Sequence, residues 1–265
     1  MPDALRGRLE ERGHAVRTIA IEGEAVPALR RDASVRLADA EGAVRLIGEL
    51  GITHLVLIGS IGRRPRWTEG RLGPRSLMFA WNAFRSLSKG DDAMLRAVVS
   101  AFERIGVTVV GVHDLWPELL PAAGAIGRHR PSKRAHGEIA LAHGAARALG
   151  EFDVGQGAVA VGQRVVALEG LEGTDAMLAR VADLRSAGRL VDRAPSGVLV
   201  KVAKPMQEVR TDLPTIGPNT MLGARDAGLA GVAVGAGAAL LVDRDEALRV
   251  ADEAGLFVWG IDVAG

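Results

Sequence analysis

Three times in the first half of the chain a helical pattern gives way to a short apolar, β-branched run, and this alternation constrains the fold more than any other feature. Leu5 and Leu9 share a helix face, Gly13 offers a stop, and residues 15–21 read as a strand. Val44, Ile47 and Leu50 mark a second helix, which Gly51 ends before the apolar run 54–58 leads into Gly59. The third cycle pairs a helix over 92–105 with a strand over 107–112. Such alternation predicts an α/β fold, a mostly parallel sheet covered by helices.

A wound domain of this kind normally opens on a strand, whereas this chain opens on a helix, so the first strand of a Rossmann-like sheet is expected to be missing. Pro117, Pro121 and Pro131, with Gly124 and Gly127, interrupt regular structure over 116–132. The expected division is an N-terminal Rossmann-like domain over 1–130 and a C-terminal catalytic α/β domain over 131–265. The second half reads as a helix over 138–149, then two strands over 158–161 and 164–167 joined by Gly162-Gln163, a hairpin spacing. A helix over 174–185, a strand over 198–202 and a helix over 219–226 follow. Strands over 232–234 and 240–242, a helix over 245–254 and a strand over 256–259 close the chain. The VGAGAAL run between 234 and 240 lacks a complete dinucleotide fingerprint and reads as a turn.

Composition removes several function classes. With 33 basic and 32 acidic residues the net charge is +1, which gives no global case for nucleic-acid binding. Cysteine is absent, so disulfides, thiolate metal sites and a cysteine nucleophile are excluded. The first residues, MPDALRGRLEERGHAV, lack the continuous apolar stretch of a signal peptide or membrane span, and a cytoplasmic address is expected.

The densest concentration of chemistry is KVAKPMQEVRTDLPTIGPNT, residues 201–220. It gathers Lys201, Lys204, Gln207, Glu208, Arg210, Asp212 and Thr215 directly after a strand, and Pro205, Pro214 and Pro218 stiffen what would otherwise read as a solvated loop. Cleavage of a phosphoanhydride needs cations on the phosphate oxygens and a carboxylate to hold a metal or orient water. Lys201, Lys204, Arg210 and Asp212 supply those groups. Thr174 is placed to cap the following helix and present its N–H groups to an anion, with Asp175 in the same first turn. Hard cations prefer oxygen, so Asp212, Glu208 and Asp175 form the expected set for a divalent metal, and Glu169 and Glu172 are further candidates.

In the first half, GSIGRRP places Gly59, Ser60 and Arg63 after a strand, where a phosphate or ribose would meet backbone N–H groups and positive charge. His113 and Asp114 sit at a strand end and read either as a ligand contact or, more simply, as a helix-capping pair. Trp67, Trp81 and Phe84, among arginines over 66–85, suit either a core face or contact with acyl chains and an anionic membrane.

Taken together, the turn at Gly59, HDL at His113, DVGQ at Asp153, EGTDAM at Glu172 and the 201–220 signature resemble the LpxI-type UDP-2,3-diacylglucosamine pyrophosphatases, in the family's order and from about Pro2 to Gly260. That resemblance implies a two-domain enzyme of lipid A biosynthesis that binds UDP-diacylglucosamine between its domains. It implies a divalent cation, magnesium in the first place, water attack on the β-phosphorus, and release of UMP and 2,3-diacylglucosamine 1-phosphate (lipid X). Asp212 matches the family's essential aspartate, while Lys201, Lys204, Gln207, Arg210, Thr215, Thr174 and Asp175 fall in the surrounding signature. Peripheral contact with the inner membrane and a homodimer are further expectations. Members usually carry a strand and glycine-rich loop ahead of the position of Met1-Pro2, and the Gly59 turn has Ser60 where glycine is common. A non-catalytic nucleotide-sugar or lipid-binding protein is the alternative reading.

Overall fold

Arg6 anchors the start of the chain in a computed structural model that describes residues 1–24, 28–37, 39–59, 91–190, 193, 195–205 and 207–262. The opening helix, Pro2–Glu11, carries proline in its first turn, where the missing N–H costs nothing. Its buried Arg6 donates to Asp32 at 2.6 Å, to Thr18 at 3.2 Å and to Glu10 at 2.9 Å. These bonds tie the helix to a parallel pair, β1 (Ile19–Ile21) and β2 (Ala33–Val35). The helix Ala40–Glu49 is capped by Asp39, which accepts from Gly42 N at 2.9 Å. It leads to β3 (His54–Leu55), and the helix Asp91–Arg104 leads to β4 (Thr108–Val109), which pairs with β3 in parallel. The helix-strand alternation is therefore present, with strands shorter than the apolar runs that signal them. Asp114 accepts from Gly111 N at 2.8 Å in the short helix Val112–Leu115, so it acts as a cap.

The chain divides into two compact units, Met1–Trp116 and Pro117–Gly265. That division precedes the expected 130/131 boundary because the proline-rich stretch is built into the second unit. There β5 (Gly124–Ala125) pairs antiparallel with the last strand, β12 (Phe257–Ile261), and Arg128 N donates to Asp252 at 3.0 Å. The remaining strands of this six-stranded sheet are β6 (Gly157–Val161), β7 (Arg164–Leu168), β8 (Val198–Lys201) and β10 (Gly231–Gly235), in the order β5-β12-β10-β8-β6-β7. Only the β8-β10-β12 centre is parallel. β6 runs antiparallel to both β8 and β7, so the sheet is mixed.

Strand periodicity sorts the core into two layers. Val198, Val200, Ala158 and Ala160 face the helix Lys133–Glu151 through its Ala135, Ile139, Ala142 and Ala146. On the other face, Leu199, Val159, Val232 and Val258 pack with Met177, Leu178, Met221 and Ala247. These last residues come from the helices Gly173–Ser186, Pro218–Asp226 and Arg244–Glu253. A fully apolar central strand fits a sheet covered on both sides. A small parallel pair, β9 (Thr215–Ile216) with β11 (Leu240–Leu241), lies beside the main sheet.

Candidate active site

Lys201 ends β8, the apolar strand Val198–Lys201, and the period of two puts it on the same face as Leu199. Its side chain is therefore carried into the protein, toward the start of the helix Gly173–Ser186, and the residue is only 6% exposed. The ammonium donates to Thr174 Oγ1 at 2.7 Å and to the carbonyl of Thr215 at 3.3 Å. Thr174 in turn donates its hydroxyl proton to Glu169 Oε1 at 2.7 Å, and that carboxylate oxygen lies 3.9 Å from Lys201 Nζ.

Glu169 is buried where β7 ends, and its Oε2 has no hydrogen-bond partner among the described residues. Close packing around it depends on glycine: a Cβ on Gly157 would stand 2.5 Å from Oε2, and one on Gly155 would run into the Glu169 carbonyl. Burial pushes the Lys201 ammonium below the ordinary lysine range, and the negative charges of Glu169, Asp175 and Asp212 oppose that shift. The site thus balances the desolvation of one cation against three nearby carboxylates.

A second set of contacts shapes the loop after β8. Lys204 pairs with Asp153 at 2.5 Å, and Asp153 adopts a left-handed backbone with φ of 54°. The Gln207 side chain accepts from Lys204 N at 2.8 Å and donates to Gln156 at 3.2 Å and to Asp212 Oδ2 at 2.6 Å. Arg210 meets Glu208 through two bonds, at 2.8 and 2.9 Å. These contacts turn a charged segment into an ordered loop joined to DVGQ.

The sequence placed Lys201, Thr174 and Thr215 in one site, and the structure bonds them directly. It also joins Lys204, Gln207 and Asp212, while Asp175 is close enough to act electrostatically on Lys201. Thr174 corrects the capping expectation: Glu172 occupies the cap position without a side-chain bond, and Thr174 lies inside the helix linking Lys201 to Glu169. Glu172 pairs instead with Arg180 at 3.2 Å. Asp153 and Gln156 were not foreseen as site residues, although the DVGQ motif marks their position. Gly59 lies in the first unit with φ of 108°, a conformation that suits glycine. Ser60, Arg63 and the aromatic segment over 67–87 lie outside the described residues.

Among the described residues, no group of three or more histidines or carboxylates is arranged to hold a metal ion. Glu208 turns both carboxylate oxygens to Arg210, so the set Asp212, Glu208 and Asp175 does not converge as a cage. Magnesium asks for less than a cage, since it commonly binds one or two carboxylates and completes its shell with water and substrate phosphate oxygens. Asp212 and Asp175 both act electrostatically on the Lys201 ammonium, so two carboxylates lie near that group.

A buried lysine tied through a hydroxyl to a carboxylate, beside a loop rich in further charge, is the polar centre of this α/β unit. Residues 1–119 match the LpxI N-terminal domain and residues 122–259 the LpxI C-terminal domain, so the chain belongs to the LpxI family. It is 37% identical over 264 residues to the UDP-2,3-diacylglucosamine pyrophosphatase LpxI of Caulobacter vibrioides, an alignment covering 99% of this chain and 94% of that protein.

Proposed function

We propose that this protein hydrolyses the pyrophosphate of UDP-2,3-diacylglucosamine to UMP and 2,3-diacylglucosamine 1-phosphate in lipid A biosynthesis. The observation that carries this reading is the buried Lys201 ammonium, held by Thr174 within reach of the charge of Asp212. A cation held in a water-poor setting stabilises phosphate charge more strongly than one in bulk water.

In this reading Lys201, Lys204 and Arg210 receive the pyrophosphate oxygens, with Lys204 and Arg210 releasing Asp153 and Glu208 in exchange. Gln207 fixes Asp212 through Oδ2, which orients the carboxylate toward an attacking water. The water oxygen bonds to the β-phosphorus, its proton passes to Asp212, and the bond from that phosphorus to the bridging oxygen breaks. UMP leaves with the bridging oxygen. A magnesium ion, when bound, supplies further positive charge at the phosphate oxygens, and Asp212 and Asp175 would hold it.

Incubation of the purified chain with UDP-2,3-diacylglucosamine, with and without magnesium, tests the reading by product analysis. UMP and the sugar 1-phosphate are the expected products. Turnover in isotopically labelled water should place the label in the sugar phosphate; label in UMP would mean attack on the α-phosphorus. Binding of the nucleotide sugar without any turnover would replace this reading with a non-catalytic one.

A further inference from the structure

The turn DVGQ, residues 153–156, joins the helix Lys133–Glu151 to β6 and meets both of the other segments that build the site. Asp153, with its left-handed backbone, pairs with Lys204. A Cβ on Gly155 would run into the Glu169 carbonyl, so the turn lies directly against the end of β7. The Gln156 carbonyl accepts from Val202 N at 3.0 Å, which ties its backbone to the residue after β8. Its side chain reaches Gln207.

The hydrogen bonds of Gln207 leave its amide one orientation. A backbone N–H can only donate, so the atom that meets Lys204 N at 2.8 Å is the oxygen, Oε1. The nitrogen Nε2 therefore faces the other way with two protons to place. Two acceptors stand there, Gln156 Oε1 at 3.2 Å and Asp212 Oδ2 at 2.6 Å. Both protons are committed, and the atom that Gln156 presents to this donor must be its own oxygen. The three side chains are half-buried, where hydrogen bonds are less screened than in bulk water.

We propose that Gln156 is a positioning residue for hydrolysis: by taking one Nε2 proton of Gln207 it fixes the amide plane that directs the other proton to Asp212 Oδ2, and so aims Oδ1 at the attacking water. This rests on the activity proposed above, in which Asp212 receives the proton of that water. Without the Gln156 acceptor, an N–H of Gln207 is left to find another partner, and the amide turns away from the line that holds the aspartate. A general base acts only within hydrogen-bond reach of the proton it takes, so the loss falls on turnover rather than on affinity.

The test is a cycle of rates on the full chain with UDP-2,3-diacylglucosamine. Gln156→Leu, of similar volume but without the acceptor, should lower kcat about 3- to 10-fold, the equivalent of one hydrogen bond, and leave calorimetric substrate affinity unchanged. In a Gln207→Leu background the same change should cost less than about 1.5-fold, because the amide through which Gln156 acts is gone. Gln156→Ala passes through the same cycle, so the answer does not hang on the folding of one variant. An unchanged kcat, a loss as large in the Gln207→Leu background as in the unsubstituted one, or a fall in affinity equal to the fall in kcat would each overturn the proposal. Nuclear magnetic resonance of the Gln207 side-chain amide gives a readout independent of turnover: both protons should exchange slowly with water in the unsubstituted chain, and Gln156→Leu should make one of them fast. That pattern without substrate turnover defeats the proposed activity alone. Turnover with both protons exchanging fast in the unsubstituted chain defeats the positioning role alone.

Discussion

The Nζ of Lys201, at the end of β8, lies 2.7 Å from Thr174 Oγ1 in the first turn of the helix Gly173–Ser186. Because the same oxygen donates its proton to Glu169, the hydroxyl both accepts from a cation and donates to a carboxylate. This relay bridges opposite charges that lie 3.9 Å apart. It also explains why a threonine that reads as a helix cap serves the site instead.

Thr174→Val keeps the shape of the side chain and removes the relay. Hydrogen bonds to charged groups contribute roughly 1.5–3 kcal/mol, so kcat/KM should fall about 10- to 100-fold. Thr174→Ser restores the hydroxyl and should recover most of that loss. Steady-state rates of the two variants give the answer, and equal activities for valine and serine would show that the hydroxyl does not position Lys201.

The Lys201 ammonium is held below the ordinary lysine value by burial, which gives folding stability a defined pH dependence. Between the lowered folded pKa and the ordinary unfolded one, the unfolded chain binds more protons at this residue, so its contribution to stability rises with pH. Below that window, the cost of burying the ammonium is present in full. Lys201→Met removes the group. The stability of the unsubstituted protein minus that of the variant should therefore increase as pH climbs toward the lysine range, as read from urea unfolding at several pH values. A difference that shrinks over the same range would contradict the burial argument.

Much of this arrangement is legible in the sequence where chemistry and local geometry coincide. Gly162-Gln163 between two β-branched runs indicates the β6-β7 hairpin, and the apolar run ending in Lys201 indicates a central strand with a charged end. The Lys204–Asp153 pair is not legible in this way, because 51 positions separate its partners and only the packing of two loops brings them together. Thr215–Ile216 was hidden for a related reason: two residues between prolines carry no period, and their strand exists through pairing with Leu240–Leu241. The mixed sheet escaped the helix-strand pattern because the direction of β6 depends on long-range pairing with β8.

Gly155 and Gly157 both pack on Glu169, yet their substitutions should separate. A Cβ at Gly157 would meet the carboxylate oxygen Oε2 at 2.5 Å, and a side-chain end can move aside. Gly157→Ala should therefore displace Glu169, lower activity and leave the melting temperature nearly unchanged. At Gly155 the obstacle is the backbone carbonyl of Glu169, which cannot yield without shifting the strand end. Gly155→Ala should cost about 1–3 kcal/mol of stability, the usual range for overpacking. Thermal melts alongside rates distinguish the cases, and a stability loss at Gly157 equal to that at Gly155 would contradict the difference in mobility.

Asp212 is held by Gln207 at 2.6 Å and lies near enough to Lys201 to affect its ionisation, which suits a group that directs water toward a phosphate. Removing a group needed chiefly in the transition state lowers turnover more than ground-state affinity. Asp212→Ala should lower kcat by about 10²- to 10⁴-fold, the range for a lost general base, while substrate binding stays close to that of the unsubstituted protein. Lys204→Ala should behave differently, weakening both, because a cation that receives phosphate also holds the ground state and because its pairing with Asp153 orders the loop. Calorimetric binding of the substrate to each variant, beside its rate, separates the two patterns. Near-normal turnover by the Asp212→Ala protein would remove the aspartate from the mechanism, and a parallel fall in its binding would reassign it to holding the substrate.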